Sequence, residues 1–270
     1  MALRWRRRRP LSIRSDFSDQ SDWDDWPDGV TRRILPQTDS TNAEAQRSAS
    51  LLAGPEWILA LHQTAARGRR GRPWAMLPGN FAATYVMRPP EPPAVFALRS
   101  FVAALALFDA FVAVTGRPDP FALKWPNDVL LSGGKVAGIL LESFMVAGNP
   151  HLAIGFGVNL ATAPERGAVE ARALRPVSLA SETGMLLSPA DFLAALGPAY
   201  AIWEQRFTSY GFAPIREAWL NRAARIGTTI TARTGTQAIT GTFETIDTTG
   251  ALVLATDQGR QAIPAADIYF

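Results

Sequence analysis

The chain has 270 residues, 47% hydrophobic and 19% charged, with a formal net charge of +3. Those values suit one large domain with a small appendage, or two modest domains, and exclude a mainly disordered, coiled-coil or collagen-like protein. There is no cysteine and only His62 and His151 as histidines, which rules out disulfides, thiol nucleophiles, thiolate metal sites and a histidine-rich centre together.

Residues 1–29 read as a solvated, disordered tail. Six arginines up to Arg14 precede six aspartates between Asp16 and Asp28, and such opposite-sign blocks bury too little apolar surface to offset ordering entropy. Trp5, Trp23 and Trp26 leave docking onto the body open. Arginines without a following apolar stretch do not make an export signal, so cytoplasmic residence is the expectation. The longest apolar run, Phe101 to Val114, contains Asp109 and falls short of the ~20 residues of a membrane span, so no membrane association is expected.

From Val30 the pattern is mixed α/β. Strands are expected at Trp57–Leu61 and Phe81–Met87, with a polar loop between them. A long helix over Val95–Thr115 ends at Gly116, a good residue for the left-handed position after a helix. Leu123–Trp125, Val129–Leu131, Val136–Phe144 and His151–Leu160 follow as strands, and the short Pro-Asn-Asp, Ser-Gly-Gly and Ala-Gly-Asn turns between them predict antiparallel pairing. Ser188-Pro189-Ala190-Asp191 starts a helix with a cap and a first-turn carboxylate. Gly197-Pro198 is expected to break or kink it before Tyr200–Tyr210, and Pro214–Ala224 forms a further short helix. Strands at Thr228–Thr231, Ala238–Asp247, Ala251–Thr256 and Gln261–Tyr269 then predict a small β-barrel.

Three segments could carry chemistry. Gln37 to Ala45 contains Asp39-Ser40-Thr41-Asn42, which reads either as a helix cap or as a cradle of amides and hydroxyls for a polar ligand. His62 to Trp74 packs Arg67-Gly68-Arg69-Arg70-Gly71-Arg72 behind Gln63. Glycines let backbone amides approach an anion, guanidinium groups neutralise phosphate, and Trp74 offers a plane for a base. A solvated basic turn and an RNA-binding loop fit the same composition. Lys124-Trp125-Pro126-Asn127-Asp128 and Lys135-Val136-Ala137-Gly138-Ile139-Leu140 hold both lysines of the chain, which converge on one anion if their strands pair. Gly155-Phe156-Gly157-Val158-Asn159 ends a strand on small residues that let a ligand lie against the backbone.

In this order the five motifs resemble biotin protein ligases, and the resemblance covers Val30 to Phe270. It implies an α/β (α+β) catalytic domain over 30–224, a mixed sheet with flanking helices related to lipoate ligases and class II aminoacyl-tRNA synthetases. An SH3-like barrel over 225–270 would follow. It also implies ATP- and Mg²⁺-dependent activation of biotin to biotinyl-5'-AMP, then transfer to one lysine of a biotin carboxyl carrier domain. By resemblance, Ser40, Thr41, Asn42 and Gln63 bind biotin, Gly138 and Lys135 lie against it, and the backbone of Arg67 and Gly68 closes over it. Arg69 and Arg72 contact phosphate or retain the adenylate, and Lys124 and Lys135 neutralise the reacting carboxylate and phosphates. Trp74, Asn127 and Asn159 sit at the nucleotide, and Asp128 orients or deprotonates the acceptor lysine. No residue is assigned as a metal ligand.

Two departures matter. Ala66 stands where the family has glycine, and a Cβ there restricts the loop if its φ must be positive; activity is nevertheless expected, because every charged position of the loop is present. Residues 1–30 are too few and too polar for the DNA-binding domain of family members that also repress transcription, so a ligase without DNA binding is expected. Exposed strand edges leave a homodimer open. The alternatives are a lipoate or octanoate transferase of related fold, and a non-catalytic nucleic-acid-binding protein using Arg4–Arg9 and Arg67–Arg72.

Overall fold

The computed structural model describes residues 25–168, 173–234 and 237–269. The tail up to residue 24 and the centre of the Thr234-Gly235-Thr236 turn lie outside the described residues. In chain order the elements are β1 (Thr31–Leu35), α1 (Thr41–Ser48), β2 (Glu56–Ala60), β3 (Phe81–Met87), α2 (Arg99–Thr115), β4 (Phe121–Lys124), β5 (Asp128–Leu131), β6 (Gly134–Val146) and β7 (Asn149–Val158). Then come α3 (Leu179–Thr183), α4 (Pro189–Tyr210), α5 (Phe212–Leu220), β8 (Thr229–Arg233), β9 (Ala238–Ile246), β10 (Leu252–Thr256), β11 (Gly259–Ile263) and β12 (Asp267–Tyr269).

The first seven strands form one mixed sheet in the order β1-β2-β3-β7-β6-β5-β4. Only β1 and β2 run parallel, with α1 as their crossover. The four strands β4 to β7 pair antiparallel in sequence, as their short turns predict. All seven residues of β3 are buried, because the strand is covered on both faces. Phe81, Ala83, Tyr85 and Met87 pack into the main core, whereas Val86 joins Ala45, Ile58 and Ala153 under α1. Alternation along a strand therefore turns Thr84 toward α1 as well.

The main core lies between the sheet and α2 and α4. Leu105, Leu107 and Phe111 of α2 are fully buried, worth about 1.5–3 kcal/mol each by transfer of their side chains out of water. The helical stretch Pro93–Thr115 is long and apolar enough to cross a membrane, yet 67% of its 18-residue apolar window is buried inside this fold. Helix α4 runs on through Pro198 as one element of 22 residues, so of the break or kink expected there the break does not occur. The proline withholds one donor from the ladder, but the apolar face on either side of it, Leu193 and Leu196 before and Tyr200 and Trp203 after, is buried in the core and holds the helix together. Gly197 has its own reason: a Cβ would meet the Trp26 ring at 2.5 Å.

The C-terminal strands form the expected antiparallel domain, but as an open sheet in the order β11-β10-β9-β8-β12. The edge strands β11 and β12 do not pair with each other among the described residues, so the barrel is not closed. The expected strand over Gln261–Tyr269 splits at Pro264 into these two edges, since proline cannot supply a ladder N–H. This sheet shares the main core and is docked by polar contacts. Trp125 Nε1 donates to Gly250 O at 3.0 Å, and the Arg216 guanidinium reaches Thr245 Oγ1 and the Ile246 carbonyl. At Gly250 φ is 86°, and a Cβ would press on Leu98 and Phe101 at 3.0–3.1 Å.

Candidate active site

A cavity of about 440 Å³ opens where the C-terminal sheet meets the ends of β5, β6 and β7. All fifteen residues singled out from the sequence line it: Ser40, Thr41, Asn42, Gln63, Arg67, Gly68, Arg69, Arg72, Trp74, Lys124, Asn127, Asp128, Lys135, Gly138 and Asn159. They come from segments more than a hundred residues apart.

One end is a polar bed at the start of α1. Ser40 occupies the capping position, but its side chain caps nothing, which leaves the hydroxyl in the cavity wall rather than in the helix. The Thr41 amide instead donates to Gln63 Oε1 at 2.7 Å, and its hydroxyl lies 3.1 Å from the same oxygen. Beneath them Thr84 Oγ1 lies 2.6 Å from Asn42 Oδ1 and 2.8 Å from Thr41 Oγ1. Asn42 fits against the sheet only because Gly155 has no side chain; a Cβ there would come within 2.5 Å of Asn42 Oδ1.

The arginine loop closes over the middle of the cavity. Trp74 N donates to Ala66 O and Gly68 N to Arg72 O, drawing the two strands of the loop together. Its tip turns through Arg70 and Gly71, at φ 58° and 71°. Ala66 is not in the left-handed region, so its Cβ carries no backbone penalty there. Trp74 lies flat against the floor, where a Cβ on Gly157 would meet its ring at 2.7–2.9 Å and one on Gly138 at 3.3 Å. Lys135 Nζ stands 5.6 Å from the centre of that ring. The buried Trp74 Nε1 and Asn159 Oδ1 have no protein hydrogen-bond partner.

The other end is charged. Lys124 and Asp128 face each other across β4 and β5, with Lys124 Nζ 3.8 Å and Lys135 Nζ 2.7 Å from the Asp128 carboxylate. Burial alone would raise the Asp128 pKa, but Lys135 and Lys124 outweigh it and hold the carboxylate below its ordinary value. Burial pushes the Lys124 ammonium down, with Asp128 opposing, and it also lowers Arg69. Arg69 Nη1 donates to Asn127 Oδ1 at 3.2 Å, and Asn127 Nδ2 is fixed on the Ile139 carbonyl at 2.7 Å.

Three participants were missed from the sequence. Asp267, on β12 of the C-terminal sheet, lines the cavity and pairs with Arg70 at 2.7 Å and Arg72 at 2.9 Å. Glu142 takes Arg67 at 3.2 Å, and Thr84 supports Thr41 and Asn42. None belongs to a local motif. The signal available was weak: Glu142 is a lone acid in the apolar run of β6, and Thr84 a small hydroxyl residue among the apolar and aromatic side chains of β3.

A profile described as the biotin/lipoate A/B protein ligase family matches residues 33–159, and one for the biotin protein ligase C-terminal domain matches 226–270. A biotin--[acetyl-CoA-carboxylase] ligase from Paracoccus denitrificans is 56% identical over 238 residues, 88% of this chain and 99% of that protein. This chain belongs to the biotin protein ligase family. A more distant relative, the bifunctional ligase/repressor BirA of Bacillus subtilis, is 31% identical over 84% of this chain and 71% of its own length. Among solved structures, a biotin protein ligase from Aquifex aeolicus in complex with biotin and ATP shares the fold, at a TM-score of 0.75 and 24% identity, covering 88% of this chain and 97% of that one.

Proposed function

We propose that the chain activates biotin with ATP to biotinyl-5'-AMP and transfers it to a lysine of a biotin carboxyl carrier domain, with residues 30–224 as catalytic domain and 225–270 completing it. The observation that carries this reading is the convergence of five separated motifs on one cavity, polar at one end and cationic at the other. Ser40, Thr41, Asn42 and Gln63 would hold the polar head of biotin, and Gly138 with the Arg67–Gly68 backbone its length. The biotin carboxylate then points at Lys135, where a carboxylate oxygen attacks the α-phosphorus and pyrophosphate leaves. Joining two anions calls for fixed positive charge, which Lys124, Lys135, Arg69 and Arg72 supply in a partly desolvated site. Trp74, Asn127 and Asn159 would lie at the nucleotide, the orphaned Asn159 Oδ1 being a ready acceptor for an amino or hydroxyl group.

In the second step the acceptor amine attacks the biotinyl carbonyl and AMP leaves. A carboxylate held below its ordinary pKa is a weak base, so Asp128 acts here by orienting the incoming amine rather than by taking its proton. Magnesium would enter with the nucleotide. The described residues do not build a cage for it: no three acidic or histidine side chains gather, and the two carboxylates lining the cavity, Asp128 and Asp267, are each held by two cations. Use of free ATP accords with cytoplasmic residence.

Nucleic-acid binding by the loop is disfavoured, because Arg67, Arg70 and Arg72 are tied to carboxylates of the same chain and Arg69 faces the cavity. The test is transfer of labelled biotin to a purified carrier domain, with lipoate as competitor. Labelling that requires ATP and resists excess lipoate is expected; labelling by lipoate alone would overturn the reading in favour of a lipoate transferase.

A further inference from the structure

Glu142 lies outside the cavity wall, yet it is where two parts of the site are joined. From the start of the arginine loop, Gln63 Oε1 accepts from the Thr41 backbone amide at 2.7 Å; the Thr41 hydroxyl lies 2.8 Å from that of Thr84, which in turn donates to Asn42 Oδ1 at 2.6 Å. The other end of the same amide, Asn42 Nδ2, donates to Glu142 Oε2 at 2.7 Å. Glu142 then takes the Arg67 guanidinium through both its oxygens at 3.2 Å, returning to the loop four residues beyond Gln63. The polar network thus forms a ring that begins and ends on the loop and passes through the floor of the sheet.

We infer that Glu142 is a positioning residue for the acid substrate. It straps the arginine loop, through Arg67, to the polar bed of Thr41 and Asn42, and so sets the closed geometry of the biotin end while leaving the nucleotide end alone. This rests on the function proposed above. Three features support a strap rather than an ordinary surface pair. Asn42 is 4% exposed, and its Nδ2 donates to Glu142 Oε2 at 2.7 Å and, less closely, to the Leu140 carbonyl at 3.3 Å, so Glu142 is the nearer of its two acceptors. Glu142 is held in register on β6 opposite Ala153 of β7, so it cannot follow the loop if the loop opens. The charged side of the cavity is organised separately, with Lys124 and Lys135 both facing Asp128.

The experiment is steady-state kinetics and equilibrium biotin binding on the full chain with Glu142→Gln, Glu142→Asp, Arg67→Gln and the double variant Glu142→Gln/Arg67→Gln. Glu142→Gln keeps an acceptor for Asn42 and removes the charge facing Arg67. The expected result is a rise in the KM and Kd for biotin of roughly two- to fivefold, the range for losing one half-exposed, charge-assisted pair. In the Glu142 variants the KM for ATP and kcat stay within about twofold of the parent on the same argument. Glu142→Asp recovers part of the loss, and the double variant is no worse than the poorer single one, because both remove the same contact. A biotin KM equal to the parent's overturns the inference, and so does a uniform fall in both substrates' kcat/KM accompanied only by a lower melting temperature, the mark of a merely structural role. If Glu142→Gln does not fold, Arg67→Gln decides alone: its side chain is 38% exposed, and an unchanged biotin KM in it refutes the strap. A parent chain that binds no biotin overturns the proposed function and this inference with it, whereas a parent that binds biotin no better than its variants overturns the inference only.

Discussion

Replacing Asp128 by asparagine removes a carboxylate that faces both lysines and should make the protein less stable but more responsive to ATP. The carboxylate stands 2.7 Å from Lys135 and 3.8 Å from Lys124, gross attractions of about 6 and about 4 kcal/mol at an effective dielectric near 20. Most of that is offset by taking the three charges out of water, and removing one partner of a buried pair costs about 3–5 kcal/mol net. With Asp128 12% exposed and Lys135 30% exposed, the lower end, about 3 kcal/mol, is expected. The polyphosphate of ATP would replace the lost anion, so the melting temperature of Asp128→Asn should rise more on adding ATP than the parent's does. Differential scanning fluorimetry with and without ATP measures both quantities. In the parent, the folded pKa of Asp128 lies below its unfolded value of 3.8. Its contribution is therefore fully present above that value and is lost as pH falls through the depressed one; the variant should lack this acid-side loss. A variant as stable as the parent near neutral pH, with an ATP-induced shift no larger, would refute the reasoning.

Ala66→Gly should leave steady-state activity within about twofold of the parent, because Ala66 does not occupy the left-handed region; an inactive parent restored by glycine would show otherwise. Gly157→Ala should drive Trp74 off the floor, since the new Cβ meets the indole at 2.7–2.9 Å; a cost of about 1–3 kcal/mol in urea unfolding and a changed tryptophan emission are expected, and an unperturbed spectrum would contradict the packing described. Asp267→Asn should remove the ion pair of Arg70 and weaken the hold on Arg72, seen as faster hydrogen exchange in residues 66–72 with the rest of the catalytic domain unchanged; equal exchange would mean that Asp267 does not hold the loop.

The parts of the fold and site legible in the sequence are those encoded locally. Glycines, arginines and lysines in short motifs marked the cavity walls, the turns between β4 and β7 announced antiparallel pairing, and Gly116 closed α2 in the left-handed region as expected. What escaped depends on distance along the chain. Asp267 meets Arg70 across 197 positions, and Asn42 meets Glu142 across 100, the first set by the docking of the C-terminal sheet and the second by the packing of α1 on the main sheet rather than by any spacing. Pro198 misled in the opposite sense: its local rule is real, but the buried face of α4 outweighs one missing hydrogen bond. The strand β1 was hidden because its five residues include Arg32 and Arg33 and show little apolar alternation, and only the parallel pairing with β2 defines it.

The central claim, that this cavity joins biotin to ATP, is tested most directly by exchange of labelled pyrophosphate into ATP, run on the purified chain without acceptor protein. Exchange that depends on biotin and does not occur with lipoate is the predicted result. Exchange with lipoate but not biotin, or with neither acid, would contradict the account.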